Sequence, residues 1–215
     1  IDPLLASKQN DTSAHSRPLV KQKQIFLNID TLGYGRRVYH QVKAKVTVNH
    51  PVMDVDISHA LFCNLDLSGK ITIDHAGDKP KVSTHILLNA DQKKDVALSI
   101  GCLTGSESVI KGNYTLGGEL SGAAPTLTQV QFKQNGHLAF KAESGRIFKA
   151  TLLSRLLSML NILGDTDLQQ QGFGFKTFTA DAKVKDSVVH IKNAFIDADN
   201  MAIIASGWVA PLDDQ

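Results

Sequence analysis

Period-two alternation, repeated in short runs between turn residues, limits the architecture open to this chain more than any other feature. Ile25, Leu27 and Ile29 alternate with polar neighbours, a turn follows at Gly33-Tyr34-Gly35, and Val38, Val42, Ala44, Val46 and Val48 carry the pattern to Pro51. Val55 and Ile57 make a short run. Leu65 and Leu67, a break at Ser68-Gly69, and then Ile71 and Ile73 predict a strand with a bend or bulge. The Gly77-Asp78-Lys79-Pro80 turn leads into Val82, Thr84, Ile86 and Leu88. A polar turn at Asp91–Lys94 precedes Val96, Leu98 and Ile100, which alternate and predict a further strand. Runs at 109–116, 127–132 and 138–142 also fit strands, with glycine-rich turns between them. Phe178, Ala180, Ala182 and Val184, then Val188 to Ile191, Phe195-Ile196 and Met201 to Val209 complete the set. Successive side chains on a strand point to opposite faces, so each run carries one wet and one apolar face. Such runs, turning every roughly 8–12 residues, predict an antiparallel meander. The elements share a type without a fixed-period sequence repeat.

One segment departs from this pattern. Between Gly145 and Gly164, apolar residues fall at 152, 153, 156, 157, 160 and 163, the spacing of one side of a helix. Ser154, Arg155, Ser158 and Asn161 fall mostly on the other side, and Gly164 suits a left-handed C-cap. The expected fold is therefore mainly β: an antiparallel meander forming a twisted, curved, groove-like sheet with one amphipathic helix near 148–163. Such a helix must bury its leucines. It can plug a sheet face as core, lie on a membrane surface, or wall a lipid groove. The second use favours a more basic polar face than Lys149 and Arg155 supply.

Residues 1–22 are polar and mixed and read as a linker or arm, with 23–215 as a single β domain. The start at Ile1 and the absence of a run of about 18 or more apolar residues suit a piece of a longer protein or a mature product. A hydrophobic content of 42 % suffices for a core. Aromatics at 6 % and a net charge of +2 give no footprint for nucleic acid, so none is expected as a partner.

The residues offer little for catalysis. Ser68, Ser121 and Ser144 each precede glycine, but none has the first glycine of a nucleophile elbow. Phosphate- and dinucleotide-binding glycine patterns are absent, and Gly172-Phe173-Gly174 lacks a third glycine. The histidines at 15, 40, 50, 59, 75, 85, 137 and 190 show neither the two-apart nor the four-apart spacing that aims two imidazoles at one metal. Asp54-Val55-Asp56 and Asp197-Ala198-Asp199 place carboxylates two apart, which suits a solvated strand face or, less readily, Ca²⁺. No cofactor and no metal are expected, and the chain is read as non-catalytic. Cys63 and Cys102 are the only cysteines; they suit either one disulfide in an oxidising compartment or two unpaired buried thiols.

The order of segments resembles a known family. Gly145-Arg146-Ile147-Phe148-Lys149 leads into Leu152-Leu153-Ser154-Arg155-Leu156-Leu157 and Leu160-Asn161. Gly172-Phe173-Gly174-Phe175 follows, and the chain closes on Ala205-Ser206-Gly207-Trp208-Val209. This resembles the C-terminal region of the AsmA-like family of large Gram-negative envelope proteins, well over 105–212 and loosely over 60–105. The resemblance implies a periplasm-facing segment of a protein anchored in the inner membrane. Its apolar β groove would handle phospholipid transport or outer-membrane biogenesis. The implied partners are phospholipid acyl chains, other envelope proteins and the remainder of the parent chain. Groove-lining candidates are Leu65, Leu67, Ile71, Ile73, Ile86, Leu88, Val96, Leu98 and Ile100, with Leu153, Leu156, Leu157 and Leu160 from the helix. A Cys63–Cys102 bridge would pin neighbouring strands. The competing expectation is a structural scaffold for outer-membrane assembly, binding partners by strand addition at a sheet edge. An apolar stripe unbroken across at least five strands favours lipid; a polar concave face favours the scaffold.

Overall fold

The computed structural model describes residues 23–35, 37–105, 107–108, 110–148, 172–198 and 201–210. The arm at 1–22 and almost all of the predicted helix, with Leu153, Leu156, Leu157 and Leu160, lie outside the described residues. The described residues form one mainly β, antiparallel meander of ten strands whose order in space is their order in sequence. The strands are β1 (Lys23–Tyr34), β2 (Arg37–Asn49), β3 (Val52–Phe62), β4 (Leu65–Asp74), β5 (Lys81–Asp95), β6 (Ile110–Ala124), β7 (Asn135–Ile147), β8 (Phe173–Lys185), β9 (Val188–Asp197) and β10 (Ala202–Val209). The sheet is open, with β1 and β10 as its edges.

Turn chemistry explains several of the reversals. Cys63 and Asn64 both have positive φ (49° and 67°), as do Asp186 and Ser187 (47° and 63°). Two consecutive left-handed residues make the tight hairpin turn whose twist matches that of the flanking strands. The break expected at Ser68-Gly69 sits on the other side of the pair. β4 runs through without interruption, and the register slips in β3 between Ile57 and Ala60, opposite Gly69 and Leu67. Gly69 is extended into positive φ (145°), and a Cβ there would lie 2.1 Å from the His85 carbonyl oxygen. Only glycine lets β4 and β5 approach so closely.

Two segments predicted as strands are helical. Val96–Thr104 is the helix α1, not a strand through Val96, Leu98 and Ile100. The Asp95 carboxylate accepts from the Ala97 N–H at 2.8 Å, and Gly105 ends the helix in the left-handed conformation, its N–H bonded to the Gly101 carbonyl. These caps outweigh a three-residue alternation. The 127–132 run gives the short helix α2 (Leu127–Val130), started by Thr126, whose hydroxyl accepts from the Gln129 N–H.

Both helices sit on the same face of the sheet, at opposite strand ends. Ser99 of α1 shares a 2.6 Å hydrogen bond with the Tyr114 hydroxyl of β6. Gln134, after α2, donates to the Thr84 hydroxyl of β5 at 2.9 Å. Tyr114 and Thr84 belong to the same face by the strand register. The β1–β2 tip also reaches α2: Arg37 donates to Gln131, and the Tyr34 and Thr128 hydroxyls lie 3.4 Å apart. In a flat meander that tip and α2 would lie at opposite strand ends, several strands apart. Their contact requires the first half of the sheet to roll inward over the face that carries the helices. Strand twist, accumulating at roughly 20–25° per pair, supplies such a roll.

Candidate functional site

An apolar row crosses the inward face from one edge strand to the other. One register row reads Leu27, Ala44, Ile57, Gly69, Ile86, Leu120, Gly136, Val184, Val189 and Val209, one residue from each strand and none of them polar. A neighbouring row continues with Leu67, Leu88, Gly118, Leu138, Ala182, Ile191 and Gly207. At the α1 end the face thickens into a core of Leu65, Ala90, Val96, Tyr114, Ala142, Ile147, Phe173, Phe175 and Ala198. Aromatic rings join its strands. Tyr114 stacks on Phe140 at 5.7 Å between centroids, Phe140 meets Phe178 edge-on at 5.3 Å, and Phe175 meets Phe178 at 6.0 Å.

Of the residues singled out from sequence, Leu65, Leu67, Ile71, Ile73, Ile86 and Leu88 lie together on this inward face. Val96 and Ile100 reach it from α1, not from a strand: Val96 is buried in the core and Ile100 packs against it. Leu98 points the other way and is 66 % exposed. Sequence reasoning missed Tyr114, Leu116, Phe140, Phe173, Phe175 and Phe178 as contributors. Their signal was present in Tyr114-x-Leu116 and Phe173-x-Phe175, but the shared face becomes apparent only once β6, β7 and β8 are in register.

Cys63 and Cys102 are joined as a disulfide. The bridge ties the β3–β4 turn to α1 rather than strand to strand, because Cys102 belongs to the helix. It straps α1 over the end of the apolar face.

The outward face is largely polar, and several of its charges are paired. Across strands, Lys45 meets Asp56 at 3.5 Å and Lys70 meets Asp54 at 3.0 Å; along β7, Lys141 meets Glu143. The Thr72 hydroxyl donates to Asp54 at 2.7 Å. That bond, reinforced by Lys70, holds the Asp54 carboxyl below its ordinary value, and Asp54 in turn raises the Lys70 ammonium. The Asp54/Asp56 pair is thus engaged by Lys70, Thr72 and Lys45. Among the described residues no group of three or more His, Cys, Asp or Glu side chains is placed to hold a metal. Among the same residues no helix is long and apolar enough to cross a membrane.

Apolar residues at the two edges are unusually open. Phe26 on β1 is 77 % exposed, and Ile204 and Trp208 on β10 are 79 % and 69 % exposed. Comparison of the chain with protein-family models, with curated proteins and with solved structures gives no match.

Proposed function

We propose that the inward face is a lipid groove and that the chain is a non-catalytic, periplasmic, AsmA-like segment of an envelope protein handling phospholipid. The observation that carries this is the apolar row crossing all ten strands, set against a charged outer face. Strands spaced about 4.8 Å apart make the stripe roughly 43 Å along the arc. Half of a bilayer's hydrocarbon core is about 15 Å, so an extended acyl chain fits within the stripe. Each methylene taken from water contributes about 0.8 kcal/mol. No catalytic group is needed for such a task, since the substrate is carried and not changed.

The test is photo-cross-linking to a diazirine-bearing phospholipid. A photoreactive residue at Leu88, on the inward face, is expected to capture lipid, and one at Lys141, on the outward face, is not. Native mass spectrometry of the purified chain is expected to show co-purified phospholipid, lost in Leu67→Asp and Ile86→Asp variants that keep their far-ultraviolet circular dichroism. Equal labelling from both faces, or a clean apo mass after incubation with lipid vesicles, overturns the reading.

A second reading is favoured by the open edges. β1 and β10 each present one unpaired backbone side among the described residues, the template for strand addition by a partner protein. This is the assembly-scaffold alternative. Proline substitutions along the outer side of β10 that abolish partner capture without changing lipid capture would favour it.

A further inference from the structure

Several lysines of the outward face are neutralised: Lys45, Lys70 and Lys141 each lie within 4 Å of a carboxylate, whereas Lys43 on β2 and Lys81 on β5 stand singly without an ion pair among the described residues. On β8 and β9, Lys183, Lys185 and Lys192 have no ion pair among the described residues. These three line an open trough of about 800 Å³ between β7, β8 and β9, together with His137 and one carboxylate, Asp181. The register continues the same face outward. His137 pairs with Lys183, Lys183 with His190, and His190 with Trp208 on the edge strand. Phe195 and Ile204 pair beside them, and both are exposed.

An open aromatic and an open aliphatic side chain beside unneutralised lysines is the combination that favours the boundary of an anionic bilayer. The rings and alkyl groups enter among the headgroups while the ammonium groups face lipid phosphate. We propose that the outward face of β8–β10 docks on an anionic phospholipid surface. Lys183, Lys185 and Lys192 supply the attraction, and Trp208 and Ile204 supply the shallow insertion. This surface is on the opposite side of the sheet from the proposed groove and does not depend on it. A soluble polyanion would answer to the lysines alone and would leave Trp208 and Ile204 in water.

Trp208 is the only tryptophan in the chain, so it reports directly. The full 215-residue chain is titrated with vesicles of phosphatidylcholine alone and of phosphatidylcholine and phosphatidylglycerol in equal parts. The expected result is a blue-shifted Trp208 emission, quenched by acyl-brominated lipid, on the anionic vesicles and not on the neutral ones. Removing three lysines near an anionic surface costs roughly fivefold each in partitioning, about 100-fold together. The Lys183→Gln/Lys185→Gln/Lys192→Gln variant should lose that much. Should it fail to fold, Lys192→Gln alone should lose roughly fivefold. Ile204→Ser should weaken binding and reduce the quenching. An unshifted Trp208 on anionic vesicles, equal binding to both vesicle types, or undiminished binding by the lysine variant overturns the proposal. Saturable binding of inorganic phosphate without vesicle binding also overturns it. Lipid capture from Leu88 reads the other face, so failure here leaves the groove reading standing and failure there leaves this one.

Discussion

Arg37 and Gln131 stand 94 residues apart, yet the guanidinium donates to the amide oxygen across the mouth of the rolled sheet. With the Tyr34–Thr128 contact beside it, this bond ties the β1–β2 tip to α2. A half-buried, charge-assisted hydrogen bond contributes about 1–2 kcal/mol. Arg37→Ala should therefore loosen the roll rather than unfold the sheet. Hydrogen exchange is expected to quicken at residues 31–40 and stay unchanged in β7–β9. A double-mutant cycle with Gln131→Ala should return a coupling of about 1 kcal/mol. A coupling near zero would show that the roll is maintained without this pair.

Ser99 and Tyr114 bury both hydroxyls of their hydrogen bond between α1 and β6. Tyr114→Phe leaves the Ser99 hydroxyl without its partner and should destabilise by about 1–3 kcal/mol. Adding Ser99→Ala should recover much of that, because no orphaned polar group then remains. Urea denaturation of the two variants measures both steps.

Burial raises the Tyr114 phenol above its ordinary 10.0, against the opposing pull of Ser99. A group whose folded value is raised stabilises the fold in its protonated form. That contribution is complete below the unfolded value and is lost as pH rises through the folded one. The protein should therefore lose stability above about pH 10, and Tyr114→Phe should flatten that part of the profile. An unchanged alkaline limb in the variant would assign the loss to other groups.

The Cys63–Cys102 bridge closes a sequence separation of 39 residues. Loop-closure entropy for such a span is worth up to about 4 kcal/mol. Replacing both cysteines by serine should lower the midpoint of denaturation accordingly. Protection from exchange should fall first in α1 and the β3–β4 turn, since those are the two elements that the bridge joins.

Gly136 of β7 and Gly174 of β8 make a contrasting pair. A Cβ at Gly136 would fall 1.8 Å from the Glu119 carbonyl oxygen, whereas one at Gly174 meets nothing within 4 Å. Gly136→Ala must push β6 and β7 apart, at a cost of about 1–3 kcal/mol or more. Gly174→Ala should be neutral or slightly stabilising through the unfolded chain. Thermal melts of the two variants decide it.

Much of the sheet was legible because alternation such as Ile71-x-Ile73 or Val82-x-Thr84-x-Ile86-x-Leu88 is a local signal with a local cause. The meander followed from short connections between such runs. Val96-x-Leu98-x-Ile100 failed because three alternating residues fit a helix face almost as well as a strand. The deciding groups were Asp95 and Gly105 at its ends and Ser99 beneath it. Leu127 to Phe132 failed similarly, with Thr126 capping a turn of helix. Inward-facing candidates on β4 and β5 could be chosen by parity alone. Those on β6 to β8 required the bulges, since the left-handed Ser144 resets which residues face inward beyond it. The Arg37–Gln131 contact had no local trace, because it depends on the twist summed over the strands between.

Among the described residues, every strand pairs only with the strands before and after it in the chain. Sequence-local pairing of this kind closes small loops, which lowers the entropic barrier that slows most β proteins. A chain so arranged can assemble as it leaves the ribosome, each emerging segment adding to an edge already laid down by the one before. It can also lengthen over evolution by whole hairpins, two strands at a time, with no rethreading and with the same side kept dry.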